Sequence, residues 1–449
     1  MIKDTLHIKA PGNWINDPNG FIYYKGKYHL FYQYFPFAPE WGTMHWGHAV
    51  SEDLLHWTHL KVALYPTKSY DRNGIFSGSA LEKDGKLYLY YSAVRYLEEE
   101  EENIHHAKNE NFVTSQAMLI SEDGFSFDNK NAKKQIIPVL QDEKIGHGTH
   151  TRDPKVWKYQ DSYYMILGST ISGKNGRVLF YESRDGINWD YKNQYTHKNF
   201  GSILECPDLF EVQGQYVFQG SPMNILEDGL EYAHNAIWAL VKFQEGKCEL
   251  SMPDTYQFID YGLDLYAPQT NVDKDGNRVM MAWMRMPKPV EGGKDRGAWN
   301  GMMCTPRVIE IERGHIFYKI HPQTDRYLSR EVTDRKKLDW SRPFRIKTAL
   351  KEGENIDIGG YQITIEEDCV KGDRTQVFDS LSGFRRTAKT PKLGGRYDLD
   401  IIVDENLIEI FVNEGQYVLS HVVYDLKKQL TGSIGKLLTG EEKGYEKKR

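Results

Sequence analysis

Lys25-Gly26-Lys27-Tyr28-His29-Leu30-Phe31-Tyr32-Gln33 reads as a polar turn feeding an alternating strand, and the same arrangement recurs four times further along the chain. Asp84-Gly85-Lys86 runs into Leu87 through Ser92, and Gln160-Asp161-Ser162 into Tyr163 through Gly168. Gln213-Gly214-Gln215 runs into Tyr216 through Ser221, and Asp275-Gly276-Asn277 into Arg278 through Trp283. The turn centres at 26, 85, 161, 214 and 276 lie 53 to 76 residues apart. A second motif falls between the hairpins: Ser51-Glu52-Asp53, Ser121-Glu122-Asp123-Gly124 and Ser183-Arg184-Asp185-Gly186. A unit of roughly 60 residues with several short strands is a propeller-blade signal. Five copies predict an all-β fold with a five-bladed β-propeller over residues 1–322. A large β-sandwich with chance resemblance among its hairpins is the alternative, but two independent motifs repeat in step.

After His321-Pro322 the pattern changes. Residues 325–338 are charged and read as a short helix, giving a linker over 323–340. Alternation returns from Phe344, most clearly in Leu399 through Val403 and Leu407 through Val412, followed by the turn chemistry of Asn413-Glu414-Gly415. A C-terminal β-sandwich over 341–449 is therefore predicted. The run Glu98 to Glu102 reads as a solvated loop, and the Lys/Arg-rich tail to Arg449 is expected to fray.

Composition narrows the partners. With 57 basic and 63 acidic residues the net charge is -6, which argues against nucleic acid. No run of eighteen apolar residues exists, so no membrane partner is expected. The stretch Met1 to His7 is too short of apolar residues for a secretion signal, which makes a cytoplasmic location the expectation. The four cysteines are scattered without a Cys-x-x-Cys pair, which argues against a disulfide framework and a zinc site. No cofactor and no metal are expected, and oligomeric state is not legible. The 10 Trp, 29 Tyr and 19 Phe suit both strands and stacking on sugar rings.

The repeat also locates chemistry. Eight or nine residues before each turn centre stand Asp17, Phe76 or Ser77, Asp153, Glu205 and Ala267, so three of the five positions carry carboxylates. Equivalent positions on the innermost strands of a propeller converge on its axis. Asp17, Asp153 and Glu205 are therefore expected to share one funnel. Pro18, Pro154, Pro207 and Pro268 follow close behind, and prolines of this kind mark strand starts or edges. Any single Asp-Pro means no more than that; three acids in one phase of the repeat mean more. Crowded carboxylates raise at least one pKa, which suits glycoside hydrolysis, where one acid is ionised and another protonated. Arg152 is placed to keep one of them charged. Seven residues after each centre come Gln33, Ser92, Gly168, Ser221 and Trp283, strand ends expected at the funnel rim. Gln33 is suited to bind hydroxyls and Trp283 either to stack on a ring or to pack in the core. These positions leave the division of roles among the acids open.

Trp14-Ile15-Asn16-Asp17-Pro18-Asn19-Gly20 resembles the N-terminal motif of glycoside hydrolase family 32, the invertase, sucrose-6-phosphate hydrolase and fructanase family. Tyr28 to Tyr34, Trp41-Gly42 through His48, Phe76-Ser77-Gly78-Ser79-Ala80, Arg152-Asp153-Pro154 and Glu205-Cys206-Pro207-Asp208 resemble its further motifs in order, and Leu399 through Gly415 its C-terminal strands. The resemblance implies a retaining β-fructofuranosidase acting on sucrose or sucrose 6-phosphate. It implies Asp17 as nucleophile, Glu205 as acid/base and Asp153 as a holder of fructose hydroxyls. It further implies substrate contacts from Trp14, Asn16, Gln33, Trp41, Phe76, Ser77 and Arg152, and carboxyl groups of Asp17 and Glu205 about 5–5.5 Å apart. Phe35 departs from the family, which commonly has Asn there, and alters the expected leaving-group region. The charged stretch after Tyr424 puts the last sandwich strand in doubt.

Rival readings are a carbohydrate-binding propeller without catalysis, which has no need of three converging acids, and a metal enzyme built on His147, His150 and Asp153. Sensitivity of activity to a chelator separates the second from the rest. Within the favoured class, short fructo-oligosaccharides are the alternative substrate.

Overall fold

The structure is a computed structural model that describes residues 1–225, 234–262, 264–378 and 384–440. The expectation of a fraying tail concerns residues 441–449 and lies outside them. The chain divides into two compact units, one of Met1–Phe258 with Leu265–Cys304, the other of Ile259–Asp264 with Thr305–Arg449.

The first unit is all-β and carries the five hairpins. Their first strands are Asn13–Tyr24, Gly74–Lys83, Arg152–Tyr159, Leu204–Val212 and Leu265–Val272. Each pairs antiparallel with the strand that follows it. Three of the turns have both central residues at positive φ, Lys25-Gly26, Asp84-Gly85 and Gln213-Gly214. That twist matches the flanking strands, and glycine adopts it without a Cβ penalty. The serine–aspartate motif is a turn as well. Asp53, Asp123 and Asp185 each accept two backbone N–H groups two and three residues on, at 2.7 to 3.0 Å.

Alternating apolar residues seal neighbouring sheets face to face. Ile22, Phe31 and Trp46 pack with Leu87, Leu89 and Tyr91; Tyr88, Tyr90 and Met118 with Val156, Met165 and Leu167; Ile166, Val178 and Phe180 with Leu204, Leu209 and Phe218. Polar side chains join the five first strands in sequence. Asn19 Oδ1 accepts from Gly78 N, Ser79 Oγ donates to Pro154 O, Lys155 pairs with Asp208, and Asp208 accepts from Thr270 N. Gln269 on the fifth then accepts from Phe21 N on the first, at 2.9 Å.

All five first strands slip register at the same place, between Ile15 and Pro18, Ile75 and Gly78, Arg152 and Lys155, Glu205 and Asp208, and Tyr266 and Gln269. Pro154, Pro207 and Pro268 therefore sit in bulges inside strands and Pro18 directly after one, and none of them marks a strand start. A bulge leaves its extra residue unpaired, so the missing proline N–H costs nothing there. Asp153, Cys206 and Ala267, each followed by proline, hold φ of 66°, 46° and 51°. Such left-handed backbone costs about 1–3 kcal/mol per residue and persists where the surroundings enforce it.

The second unit contains two antiparallel sheets, one of six strands from Leu328–Glu331 to Tyr417–Val422, the other of five that includes Asn355–Ile358 and Tyr361–Glu366. Phe344, Ile346, Ile401 and Ile410 of the first share a core with Ile356, Ile363 and Val370 of the second. The predicted helix over 325–338 is replaced by a six-residue helix, Pro322–Tyr327, capped by the His321 side chain. Leu328–Glu331 then pairs with Lys436–Gly440. Charge alone supplied no apolar helical face, whereas burying Leu328 in a sheet does. Lys436–Gly440 also pairs with Phe344–Ala349, so the chain after Tyr424 does complete the sheet. Among the described residues no helix is long and apolar enough to cross a membrane.

Candidate active site

Four of the five bulged strands contribute to a pocket of 350 Å³ in the first unit, walled in part by Asn16, Asp17, Gln33, Ser77, Arg152, Asp153 and Glu205. The three predicted acids thus open into one cavity, but not from one phase of the repeat. Relative to the bulge, Glu205 is the last paired residue, Asp153 the first bulged residue and Asp17 the second. An unbroken strand would send successive side chains to opposite faces. The bulge lets three successive positions, each from a different strand, address the same space.

The hydrogen bonds follow this register. Ser77, the second bulged residue of its strand, donates from Oγ to Asp17 Oδ2 at 2.6 Å, and Asn16 Nδ2 donates to Asp17 Oδ1 at 3.1 Å. Arg152 and Tyr266 stand at the register position of Glu205 on the strands to either side. Arg152 Nε donates to Glu205 Oε1 at 3.0 Å, and the Tyr266 hydroxyl to Oε2 at 2.7 Å. Cys206 N donates to Asp153 Oδ2 at 2.9 Å, while its Sγ lies 3.6 Å from both Asp17 Oδ2 and Asp153 Oδ2. Three of the strand ends predicted for the rim support the same bulges. Ser92 Oγ accepts from Asp153 N, Ser221 Oγ from Ala267 N, and Gln33 Nε2 donates to Ile75 O.

One arginine among three carboxylates leaves the cluster short of positive charge. Burial raises the Asp153 carboxyl to about 7, with the charges of Glu205 and Asp17 adding to it and Arg152 opposing. Burial raises Asp17 as well, against the pull of Ser77 and Asn16 and with the push of Glu205. Glu205 moves the other way. Burial works to raise it, but the Arg152 charge and the Tyr266 hydrogen bond outweigh that and lower it. A proton entering the free enzyme therefore settles on the aspartates before it settles on Glu205.

Trp41 and Phe76 also line the cavity, their rings 6.1 Å apart and edge to face. Trp14 and Trp283 are not among the residues lining it. They pack edge to face on each other at 5.8 Å, and Trp14 Nε1 donates to Asn16 Oδ1. Trp14 thus orients a pocket residue, and of the two uses open to Trp283 the structure has it packing edge to face on tryptophan. His147 and His150 stack on each other at 5.0 Å, and His150 accepts from Arg152. Among the described residues no group of three His, Cys, Asp or Glu is arranged to hold a metal.

Sequence reasoning missed Tyr266 and the segment 97–111. Tyr266 was detectable as the residue before the fifth phase position, had the bulge been known. The solvated loop was read over Glu98 to Glu102 alone, and none of those residues lines the pocket, whereas His106, Ala107 and Glu110 just beyond them do. His105 anchors the loop through Thr43 Oγ1 at 2.9 Å and the Phe35 ring at 4.8 Å.

A concave site with aromatic walls and clustered carboxylates of divergent pKa is the equipment of a glycoside hydrolase. Residues 7–322 match the glycosyl hydrolases family 32 N-terminal domain and residues 342–434 match the glycosyl hydrolases family 32 C terminal. A sucrose-6-phosphate hydrolase of Escherichia coli is 30% identical over 93% of this chain and 88% of its own. A Bombyx mori beta-fructofuranosidase mutant, solved in complex with sucrose, is 26% identical with a TM-score of 0.78, covering 97% of this chain and 92% of that one. The sucrose-6-phosphate hydrolase of Lactobacillus gasseri, at 23% identity, shares the fold with a TM-score of 0.80 over 98% of this chain and 93% of its own. The chain belongs to glycosyl hydrolase family 32. It is an enzyme that hydrolyses glycosidic bonds in a sugar substrate.

Proposed function

We propose that the enzyme is a retaining β-fructofuranosidase that releases fructose from sucrose-type substrates through a covalent fructosyl-enzyme. The observation that carries this reading is the convergence of Asp17, Asp153 and Glu205 on one pocket, with Glu205 held between Arg152 and Tyr266. A carboxylate of Asp17 forms a bond to the anomeric carbon as the bond to the leaving oxygen breaks, and Glu205 gives its proton to that oxygen. Glu205 then takes a proton from the water whose oxygen displaces Asp17. Asp153 binds ring hydroxyls while positive charge develops on the sugar, and Asn16, Gln33, Trp41, Phe76, Ser77 and Arg152 complete the pocket.

This sequence needs Asp17 ionised and Glu205 protonated, the reverse of the free-enzyme order. Sugar hydroxyls supply the correction, because hydrogen bonds donated to Asp17 and Asp153 favour their charged forms. The proton they release then passes to Glu205 in the same pocket. Support for the fold comes from the hydrogen bonds linking the five first strands in order and the fifth back to the first. We read them as a closed five-bladed β-propeller over residues 1–322, followed by a β-sandwich from 341, boundaries in keeping with the family matches at 7–322 and 342–434.

Sucrose and sucrose 6-phosphate are the favoured substrates, in line with the printed names of the relatives. Short fructo-oligosaccharides are the alternative. The test is intact-mass spectrometry of Glu205→Gln mixed with a fructoside bearing an activated leaving group. One added anhydrofructose unit located on Asp17 is expected; label on no residue, or on Asp153, overturns the assignment.

A further inference from the structure

The pocket has a floor and a mouth, and the two differ in charge. Its floor, where Asp153 is buried, comes from the bulged strands, and its mouth, where Glu110 is exposed, from the segment 97–111. In a dead-end pocket with its carboxylates at the bottom, the transferred sugar occupies the floor and the leaving group faces the mouth. Glu110 reaches this mouth from a turn in which Asn109 and Glu110 both hold positive φ, 52° and 54°. Its carboxylate has no hydrogen-bond or ion-pair partner among the described residues. The same segment carries Glu98 to Glu102 against a single lysine, Lys108. Lys108 is spent on Glu98 at 2.8 Å, and Arg72 on Glu99 at 2.9 Å.

The pocket offers little to balance this. Among the described lining residues Arg152 is the only arginine, it is engaged by Glu205, and no lysine is present. His150 lines the wall, but burial and the neighbouring Arg152 press its pKa down to about 4 and leave it neutral near pH 7. His106 packs tilted against Trp41, ring centres 5.3 Å apart.

We infer that Glu110 and its glutamate-rich loop make the leaving-group side selective for uncharged sugars, so that the enzyme prefers sucrose and neutral oligofructosides over fructosides with a phosphorylated leaving group. This rests on the hydrolase reading above and refines its substrate. Among the described residues, a phosphate dianion at the mouth meets an unpaired carboxylate and no free guanidinium or ammonium. Even beside an exposed carboxylate such as Glu110, a dianion about 4 Å away is disfavoured by about a factor of ten. Trp41 and the Phe35-backed loop offer the apolar face that a neutral hexose needs.

The test is kcat/KM for sucrose and sucrose 6-phosphate, at low and high salt, for the wild type, Glu110→Lys, and a combined Glu100→Gln, Glu101→Gln, Glu102→Gln variant. Wild type is expected to favour sucrose by at least about tenfold, less so at high salt because screening shortens the reach of the loop. Glu110→Lys should shrink the ratio fivefold or more, and the triple variant by a smaller factor. A purely structural role for Glu110 would depress both substrates in parallel and leave the ratio where it was, overturning the inference. So would a wild type that handles sucrose 6-phosphate as well as sucrose, with the hydrolase reading intact. Turnover of neither sugar by folded protein would instead bring down the hydrolase reading, and this inference with it.

Discussion

Two groups of buried carboxylates in this chain are treated in opposite ways. In the second unit Arg307 donates to Asp260 at 2.9 Å and to Glu409 at 2.8 Å, while Arg374 grips both oxygens of Asp264 at 2.5 and 3.1 Å. Backbone N–H groups of Ser420 and Val422 complete the shells of Asp260 and Asp264. Every one of those ionised side chains has its charge answered nearby. In the first unit Asp17, Asp153 and Glu205 share one arginine, and two of the three have raised pKa values. Matched charge fixes a structure. Charge left under-matched in a pocket is stored for chemistry, and such sites are held at some expense of stability.

The largest effect expected is on turnover. Asp17→Asn should lower kcat on the order of 10⁴-fold, the scale of losing an essential member of a catalytic set, while leaving the protein folded. A variant keeping a tenth of the wild-type kcat removes Asp17 from the nucleophile role. Because it relieves repulsion, the same substitution should also leave the melting temperature unchanged or raised.

Glu205→Gln should cost on the order of 10²–10⁴-fold on sucrose and distinctly less on aryl fructosides with good leaving groups. A loss of equal size across leaving groups would contradict proton donation by Glu205. In the matched group the damage should fall on stability instead. Arg307→Met strands Asp260 and Glu409, and denaturant titration should register a loss of about 3–5 kcal/mol. Little change there would mean that the two acids relax by protonation and that the contrast drawn here is too sharp.

The smallest effect is a pH dependence. The folded-state pKa of Asp153, about 7, lies above its unfolded value of 3.8. The folded protein therefore keeps a proton that the unfolded chain releases, so this group favours folding at low pH and loses that contribution as pH rises from about 4 through about 7. Asp153→Asn lacks the titration. Its melting temperature should gain on the wild type between pH 5 and pH 8, and a constant gap would refute the shift.

Much of the candidate site was legible because a repeat makes distant residues comparable. Glycine turns and alternating apolar runs placed Asp17, Asp153 and Glu205 in corresponding strands, and local sequence dictates both features. Other elements failed for physical reasons. The register of the bulges depends on pairing between strands, so the prolines were misread as strand starts and Tyr266 went unnoticed. The helix over 325–338 was inferred from charge, where burial of Leu328 decided for a strand.

By itself, then, the sequence determined the order of the repeated hairpins, the family motifs and the acids available for chemistry, because turn propensity and side-chain alternation are local. Tertiary structure alone decided which neighbours each acid keeps. Arg152 and Tyr266 converge on Glu205, and Ser77 on Asp17, only after strands far apart in sequence are brought together in register. The same assembly turns a glutamate-rich surface loop into the wall of the pocket. Proton affinity depends on distance and burial, and neither exists until the chain has folded.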